Sequence, residues 1–355
     1  MATTKKNGSS KQPVAGSRRK DGLVHASPRT VAVTGSSGSL GEAVIDQLLR
    51  SFPKVKVVAL DIAQPHRNHE PERFKFIKRD VRDVTLQKTL KGVDAVIHLA
   101  FIVDKTGGLT PKEIESINLD GTRNVFLSGA AAGVKQFVYA SSVAAYGMHA
   151  DVAGELLTEE APLRGNPDFF YSDHKARVEK WIDGFEKDRP GIRVARLRPS
   201  IFLGERSPTR PVRMLAYTPV IPSIRGFDHV RFQIAHEEDI ADAFCVAFAS
   251  NAHGAFNLAA EGTLSLPEIA AEMGKWTFPL PKSVLTIGAV AYRLGLSPWD
   301  PDWLIKASRA NVAMSTEKAL KDLGWNPRYR TAGDVLRAVV GGRRTPPQPV
   351  KLAQA

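Results

Sequence analysis

The chain has 355 residues, of which 43% are apolar and 24% charged, which excludes a collagen-like, a disordered and a disulfide-stapled protein and predicts a large globular core. Cys245 is the only cysteine, which excludes an intramolecular disulfide and a cysteine-built metal site and favours a reducing compartment, the cytoplasm. The net charge of +12 would suit nucleic acid or an anionic membrane only if it covered the folded surface.

The two ends of the chain carry most of this charge. Residues 1–29 contain seven Lys and Arg residues and one Asp, and residues 341–355 contain three basic residues and no acidic one. We therefore expect a disordered basic tail at 1–28 and a flexible tail at 342–355, with an arm that binds nucleic acid or another anion as the alternative. The best candidate for a membrane span is 284–296, but this stretch is too short and contains Arg293 and two glycines. We expect neither a secretory signal nor a membrane span.

From Arg29 onward, short β-branched runs alternate with longer helical patterns, which predicts βαβ units. The predicted strands are 30–34, 55–60, 74–77, 95–99, 136–140 and 193–197. Continuous Val and Ile runs are typical of parallel strands that are buried on both faces. The predicted fold class is therefore α/β, with a doubly wound parallel (Rossmann) sheet in residues 29–200 to which residues 229–260 return.

Beyond residue 200, prolines and glycines recur and the strand signals weaken. We expect a smaller, mostly helical substrate-binding lobe in residues 201–228 and 261–341. Ser265 and Glu268 have the spacing of a helix capping box. Arginines such as Arg225 in this lobe could neutralise a diphosphate, whereas Phe227 and Ile221 would suit an apolar substrate, and the sequence leaves both open.

A glycine-rich loop follows the first strand and opens a helical run. Its glycines let the chain turn, let the backbone approach a pyrophosphate and let the helix pack on the strand, while the helix N-terminus offers free N–H groups. Asp61 ends the second strand, where a carboxylate can accept hydrogen bonds from ribose hydroxyls and would repel a 2′-phosphate. The predicted cofactor is therefore NAD, with NADP less favoured. The residues expected to bind it here are Gly35, Ser37, Gly38, Ser39, Leu40, Gly41 and Asp61.

Tyr171 and Lys175 open a later helical run and lie four residues apart, on one helix face. A phenol has a pKa of about 10 and is a poor base at neutral pH, but a nearby ammonium favours the phenolate. Tyr171 could therefore exchange a proton with an alcohol or a ketone. Ser142, at the end of the fifth strand, is placed to orient the substrate oxygen, with Ser141 as the other candidate.

With these residues the chain resembles the extended short-chain dehydrogenase/reductases, also called the NAD-dependent epimerase/dehydratase group, over about residues 29–340. Besides the glycine loop, the resemblance rests on Asp80-Val81, His98-Leu99-Ala100, Asn118-x-x-Gly121-Thr122, Ser142-x-x-x-Tyr146-Gly147, Tyr171-x-x-x-Lys175, Arg198-Pro199 and His236-x-x-Asp239. It implies that Ser142, Tyr171 and Lys175 form a catalytic triad, with Lys175 also bonding the nicotinamide ribose. It further implies that Asn118 lies near the active site, and that the cofactor also contacts Asp80, Val81, Leu99, Ala100 and Pro199.

Two departures from the family's patterns bear on the substrate. Ser142-Val143-Ala144 stands where sugar dehydratases usually have a threonine and acidic residues, and Ser200 stands where sugar-nucleotide epimerases commonly have an asparagine. We expect an NAD-dependent oxidoreductase or epimerase that acts at a secondary alcohol or ketone. The alternatives are a UDP-sugar 4-epimerase with tightly held NAD and a non-catalytic NAD-binding protein. The expected partner is a small molecule, either an apolar alcohol or ketone or a nucleotide sugar; we expect no metal and no specific nucleic acid, and a homodimer is possible.

Overall fold

The computed structural model describes residues 29–67, 69–104, 108–149, 156–206, 219–227, 229–294, 296 and 312–341. The tails predicted at 1–28 and 342–355 lie outside the described residues, as do residues 207–218 and 297–311 of the predicted substrate lobe. The division into domains stays a prediction.

The described strands, in chain order, are β1 (Thr30–Thr34), β2 (Lys56–Asp61), β3 (Phe74–Lys78), β4 (Ala95–His98), β5 (Gln136–Ala140), β6 (Leu156–Leu157), β7 (Arg193–Pro199), β8 (Ile201–Leu203), β9 (Val220–Ile224), β10 (Arg231–Phe232), β11 (Ile234–His236), β12 (Gly254–Leu258), β13 (Leu264–Ser265), β14 (Trp276–Leu280) and β15 (Ala313–Met314). The α-helices are α1 (Ser39–Ser51), α2 (Leu86–Thr89), α3 (Pro111–Glu115), α4 (Gly121–Ala131), α5 (Phe170–Asp188), α6 (Glu237–Ala249), α7 (Leu266–Glu272), α8 (Ser283–Arg293) and α9 (Ala332–Gly341). Two π-helical turns (Ser116–Asp120 and Ala319–Leu323) and a 3₁₀ turn (Val143–Tyr146) complete the described elements.

Seven strands form one parallel sheet in the order β12–β7–β5–β4–β1–β2–β3. The chain runs outward from β1 to β3 and then returns to β4 on the other side of β1. This reversal places a topological switch point at the carboxyl ends of β1 and β4, where open α/β sheets bind their ligands. The predicted doubly wound sheet is thereby confirmed, and the six predicted strands match the first six strands of the sheet to within two residues at each end.

Alternate residues of the sheet face two separate hydrophobic clusters, as the two-residue period of a strand requires. On one face Val31 and Val33 pack with helices α1 and α6, where Phe244 is fully buried. On the other face Ala32 packs with α4 and α5, where Phe126 is fully buried. The sheet is therefore covered on both faces, and its carboxyl edge remains for the functional site.

The C-terminal part adds short strand pairs to the helices. Strands β9 and β14 pair in parallel, as do β8 and β11, while β10 and β13 pair antiparallel. A third hydrophobic cluster joins Ile221 and Ile224 of β9 to Ile269 of α7 and Leu285 of α8. Ser265 and Glu268 form the predicted capping box at the start of α7. No helix in the described part of the chain has the length and apolar character that crossing a membrane requires.

Candidate active site

The glycine loop between β1 and α1 brings backbone atoms very close together. Gly35 has a φ of 68°, and a Cβ atom there would lie 2.6 Å from the Ala100 nitrogen. A Cβ atom at Gly41 would lie 2.2 Å from the Gly35 oxygen. Only glycine fits at both positions. A Cβ atom would lie too close to backbone atoms, which cannot move aside as the end of a flexible side chain could.

Helix α1 begins in this loop without a side-chain cap. Gly38 occupies the N-cap position, and its backbone oxygen accepts from the Glu42 N–H at 2.9 Å. Ser39 and Leu40 form the first turn, so their N–H groups lie at the positive end of the helix dipole. This is the arrangement that suits a bound pyrophosphate.

Asp61 lies at the end of β2, beside the loop. One carboxylate oxygen accepts from the Ser37 N–H at 3.0 Å and the other from the Ala63 N–H at 3.0 Å. Each oxygen keeps a further lone pair for a ligand hydroxyl. Arg67 pairs with Asp46 at 3.0 Å, so its charge is already engaged away from Asp61.

The structure places the remaining predicted cofactor contacts at the carboxyl ends of three other strands. After β3, Asp80 pairs with Arg82, and that hydrogen bond lowers the pKa of the Asp80 carboxyl. Val81 packs against Gly121, where a Cβ atom would come within 2.6 Å of a Val81 methyl group.

After β4, the Leu99 N–H donates to the Thr34 oxygen at 3.1 Å, which holds Leu99 and Ala100 beside the loop. Pro199 ends β7 and pairs in register with Leu258 of β12.

A buried hydrogen-bond chain crosses the switch point. Thr122 donates to the Asn118 backbone oxygen at 2.6 Å, so its hydroxyl accepts from His98 Nε2 at 2.9 Å. His98 Nδ1 is then the acceptor for the Thr34 hydroxyl at 2.6 Å. Burial lowers the pKa of His98 to about 3, with the charge of Lys175 adding to the shift. His98 is therefore a neutral link between β1, β4 and α4, not a proton donor at neutral pH.

Ser142, Tyr171 and Lys175 meet at the carboxyl end of β5. The Ser142 side chain lies beside the Tyr171 hydroxyl, and Ser142 Oγ accepts from the Ala144 N–H at 3.1 Å. Burial raises the pKa of Tyr171, and the hydrogen bond with Ser142 opposes that shift. Lys175 Nζ lies 5.7 Å from the Tyr171 ring centre. The three side chains predicted from the sequence are thus neighbours.

Lys175 is nearly inaccessible, with 2% of its surface exposed. Its ammonium donates to the Ala140 oxygen at 2.6 Å and lies 3.5 Å from the Phe101 ring centre. Burial lowers the pKa of Lys175 well below its ordinary value, and the negative charge of Glu179 opposes this shift. The protonation of Lys175 therefore depends on that carboxylate.

The Asn118 side chain bonds the chain that follows β4. Its amide oxygen accepts from the Ile102 N–H at 2.7 Å, and its amide nitrogen donates to the Ile102 oxygen at 3.0 Å. The same nitrogen lies 3.3 Å from His174 Nδ1. Asn118 thus ties the chain after β4 to helix α5, a positioning arrangement that fits its place in a π-helical turn.

Two aromatic rings pack against Tyr171. Its ring meets Phe101 edge-on at 5.9 Å and Phe169 at 6.1 Å between ring centres. Phe170 in turn contacts His174 at 5.7 Å. The hydroxyl that is the candidate base therefore lies beside an apolar wall.

A buried ion pair that the sequence reasoning missed anchors the same helix. Glu179 is fully buried and accepts from Arg198 at both carboxylate oxygens, at 2.8 and 2.7 Å. The Ser141 hydroxyl also donates to Glu179. The signal was present in the spacing, because Tyr171, Lys175 and Glu179 recur every four residues on one face of α5. Arg198 lies in the Arg198-Pro199 motif, and its pairing with Glu179 has no local signal in the sequence.

Comparison with known proteins identifies the kind of protein to which this architecture belongs. The model of the NAD dependent epimerase/dehydratase family matches residues 31–259. The uncharacterised protein y4nG of Sinorhizobium fredii is 31% identical over 319 residues, which cover 85% of this chain and 75% of that protein. The uncharacterised protein Rv0501 of Mycobacterium tuberculosis is 26% identical over 326 residues, which cover 86% and 81%.

Solved structures share the fold. MoeE5 in complex with UDP-glucose and NAD superposes with a TM-score of 0.68 at 19% identity, covering 88% of this chain and 97% of that one. A UDP-N-acetylglucosamine 4-epimerase from Methanobrevibacter ruminantium gives 0.67 at 21% identity, with 88% and 97% covered. A dTDP-glucose 4,6-dehydratase from Bacillus anthracis in complex with NAD gives 0.68 at 17% identity, with 88% and 96% covered. The family match and these folds confirm the predicted resemblance, the fold class and the prediction of an enzyme of an NAD-dependent family.

Proposed function

Because the chain belongs to the NAD-dependent epimerase/dehydratase family, we propose that it transfers hydride between NAD and a secondary alcohol or ketone, with Ser142, Tyr171 and Lys175 as the catalytic residues. The observation that carries this proposal is the meeting of the three side chains at the carboxyl end of β5. A chain that kept the fold without catalysis would not need to retain a tyrosine, a serine and a buried lysine together at this edge.

The glycine loop and Asp61 fit NAD. Gly35 and Gly41 allow the close backbone packing that a dinucleotide-binding loop requires, and the uncapped start of α1 suits a pyrophosphate. The free lone pairs of Asp61 would accept the adenosine ribose hydroxyls. When bound, NAD supplies a nicotinamide ring that accepts or returns hydride.

Residues of this chain carry out the proton transfer. Tyr171 removes the proton of the substrate hydroxyl as its phenolate, and Ser142 holds the substrate oxygen through the hydroxyl that now bonds Tyr171. The ammonium of Lys175, 5.7 Å from the Tyr171 ring centre, favours the phenolate, while Ser142 opposes the effect of burial on the pKa of Tyr171. The aromatic wall of Phe101 and Phe169 keeps water away from the phenolate.

The same wall favours an apolar alcohol or ketone as substrate, since ring edges offer no partners for the hydroxyls of a sugar. A UDP-sugar 4-epimerase is the second candidate. It is supported by structural neighbours whose names include UDP-glucose, UDP-N-acetylglucosamine and dTDP-glucose. These neighbours are at most 21% identical, so they support the fold more than the substrate.

Replacing the proposed base tests the mechanism. We expect Tyr171→Phe to lower the rate of NADH formation on a panel of secondary alcohols by roughly 100-fold or more, because the proton-transfer group is lost. The Kd for NAD, measured by calorimetry, should stay within about twofold of the wild-type value, because the ring and its packing remain.

Tyr329→Phe is the matched control, since it removes a phenolic hydroxyl that bonds Arg328 away from Ser142. This variant should turn over at the wild-type rate. Turnover by Tyr171→Phe at the rate of this control would show that another group removes the proton.

A further inference from the structure

Exposed apolar side chains gather on strand β14 and helix α8. Of fifteen exposed large apolar side chains among the described residues, six lie between residues 276 and 296. They are Trp276, Phe278, Ile287, Val290, Leu294 and Leu296, which together we call the apolar patch. Trp276 is 80% exposed and Phe278 is 60% exposed, so large aromatic areas remain in water. The six side chains lie on or just after two consecutive elements of the chain, and exposed apolar groups that form a contiguous area mark an interaction surface more often than scattered ones do.

The exposed side of α8 is not its core-facing side. Leu285 and Ala289, four residues apart, are buried, and Leu285 packs in the cluster that contains Ile221. Ile287, Val290 and Leu294 recur three and four residues apart on another side of the helix and are at least half exposed. A surface helix ordinarily carries polar residues there, whereas α8 is apolar on both sides.

Strand β14 continues this apolar character. It pairs only with β9 among the described strands, with Trp276 opposite Val220 and Phe278 opposite Pro222. Trp276 and Phe278 are two residues apart and so point to the same side of the strand. Two aromatic rings therefore project together from one face of a two-stranded sheet.

Basic residues border the apolar patch, and acidic residues are missing from its segments. Residues 219–227 and 273–296 contain no Asp or Glu. Lys275 immediately precedes Trp276. Arg225 and Lys282 are exposed at the other end of the strand pair, where the Arg225 N–H donates to the Leu280 oxygen at 2.9 Å. The surface thus combines exposed aromatic and aliphatic groups with positive charge.

We propose that the apolar patch docks on an anionic lipid surface, with Trp276 and Phe278 inserted at the level of the headgroups and helix α8 lying in the plane of the interface. Amphipathic aromatic rings and basic residues are the combination that binds such surfaces. Helix α8 has 11 residues, so it lies on the membrane and does not span it.

A second copy of the chain fits this surface less well. In a two-fold pairing the apolar patch would face itself, and Arg225 and Lys282 would approach cations like themselves. Acidic residues that could neutralise them are absent from the same segments. Anionic headgroups supply the missing negative charge. The proposal does not depend on the reaction proposed above.

Vesicle co-sedimentation of the full chain tests the proposal. We expect wild type to sediment with vesicles that contain phosphatidylglycerol and phosphatidylcholine, and to bind phosphatidylcholine alone more weakly. The double substitution Trp276→Ser with Phe278→Ser should weaken binding about tenfold or more, because it removes two rings that would leave water on docking. The substitution Arg225→Gln with Lys282→Gln should weaken binding only to the anionic vesicles, an effect that added salt should reproduce.

Val84→Ser is the matched control, because Val84 is 91% exposed and lies outside the patch. It should bind like wild type, and far-UV circular dichroism should show that all variants keep their fold.

Wild-type protein that does not sediment with anionic vesicles would overturn the proposal. So would a Trp276, Phe278 double variant that binds like wild type, since the basic termini alone would then explain binding. An oligomer in light scattering that this double variant converts to monomer would assign the patch to a protein interface instead.

Discussion

The Asp61 carboxylate shows how one side chain can be prepared for a ligand. Its oxygens accept from the Ser37 and Ala63 N–H groups, so the carboxylate is held at the mouth of the glycine loop before any cofactor arrives. The position of Asp61 was predictable from the strand that it ends. Its hydrogen bond with Ser37 was not, because it joins residues 24 apart whose contact depends on how β1 and β2 pair.

This carboxylate should decide between NAD and NADP. We expect wild type to bind NAD more tightly, and Asp61→Ala to weaken NAD binding about tenfold while NADP is affected less, because the repulsion of a 2′-phosphate is also removed. Titration of both cofactors by fluorescence measures the ratio.

Asp94→Ala is the matched control for this titration. Asp94 also accepts a backbone N–H, from Thr30 at 2.7 Å, but it precedes β4 and so lies at the opposite edge of the sheet. The control should leave the cofactor ratio unchanged. A wild-type preference for NADP would show that Asp61 does not face the ribose.

Helix α5 acts as a single element that carries Tyr171, Lys175 and Glu179 on one face. Glu179 is held by Arg198 of β7, so the ion pair fixes the helix against the sheet just below the candidate base. The same carboxylate raises the pKa of Lys175 against the effect of burial. Packing and electrostatics therefore act through one residue, which we regard as a positioning residue.

We expect Glu179→Gln to lower the pKa of Lys175 further, since the nearby negative charge is lost while the side-chain shape is kept. Lys175 then loses its proton at a lower pH, so the alkaline limb of the kcat/KM profile should move to lower pH. A role limited to fold stability would lower the rate at all pH values without moving that limb.

Two companion variants keep this test interpretable. Glu186→Gln removes a carboxylate from the same helix that pairs with Arg196, and it should leave the pH profile in place. Combining Glu179→Gln with Arg198→Met removes the buried guanidinium that the single substitution leaves unpaired. If the single variant folds poorly, this double variant should restore folding, and the alkaline limb of its kcat/KM profile should still be shifted. An unshifted limb in both Glu179 variants would exclude the positioning role.

The elements differ in how far the sequence predicts them. The six predicted strands were visible because parallel strands buried on both faces need continuous runs such as Thr30–Thr34. Strand β12 has the sequence Gly-Ala-Phe-Asn-Leu, in which glycine and asparagine have low strand propensity. The sequence therefore does not predict this strand, which pairing with β7 stabilises. Tyr171 and Lys175 were predictable from local spacing, whereas Arg198 meets Glu179 only after the chain has folded.

At the scale of the whole molecule, the handling of the cofactor separates the two candidate functions. An oxidoreductase releases its reduced cofactor in each turnover, whereas an epimerase retains it because the hydride removed is the hydride returned. We expect purified, desalted protein to hold far less than one NAD per chain, since Ser200 replaces the asparagine of sugar-nucleotide epimerases and an aromatic wall lines the site. Heat denaturation followed by chromatography of the released nucleotide measures the content.

Full occupancy by NAD would favour the epimerase, particularly if UDP-glucose also raised the melting temperature of the protein. A rise with UDP-glucose but without retained NAD would identify a sugar-nucleotide oxidoreductase. The proposed proton transfer by Tyr171 is common to these outcomes, so this measurement tests the substrate separately from the mechanism.

The seventh strand has a consequence for how the protein is made on the ribosome. The edge of β7 gains its partner only when residues 254–258 have been synthesised, 55 residues after Pro199. Trp325, which is 2% exposed and donates to the Asp239 oxygen at 2.8 Å, closes the adjoining cluster later still. A nascent chain therefore carries an open strand edge and uncovered apolar surface while its first six strands are already available to pair. Until the last third of the chain emerges, this edge and the apolar surface beside it are open to pairing with other chains.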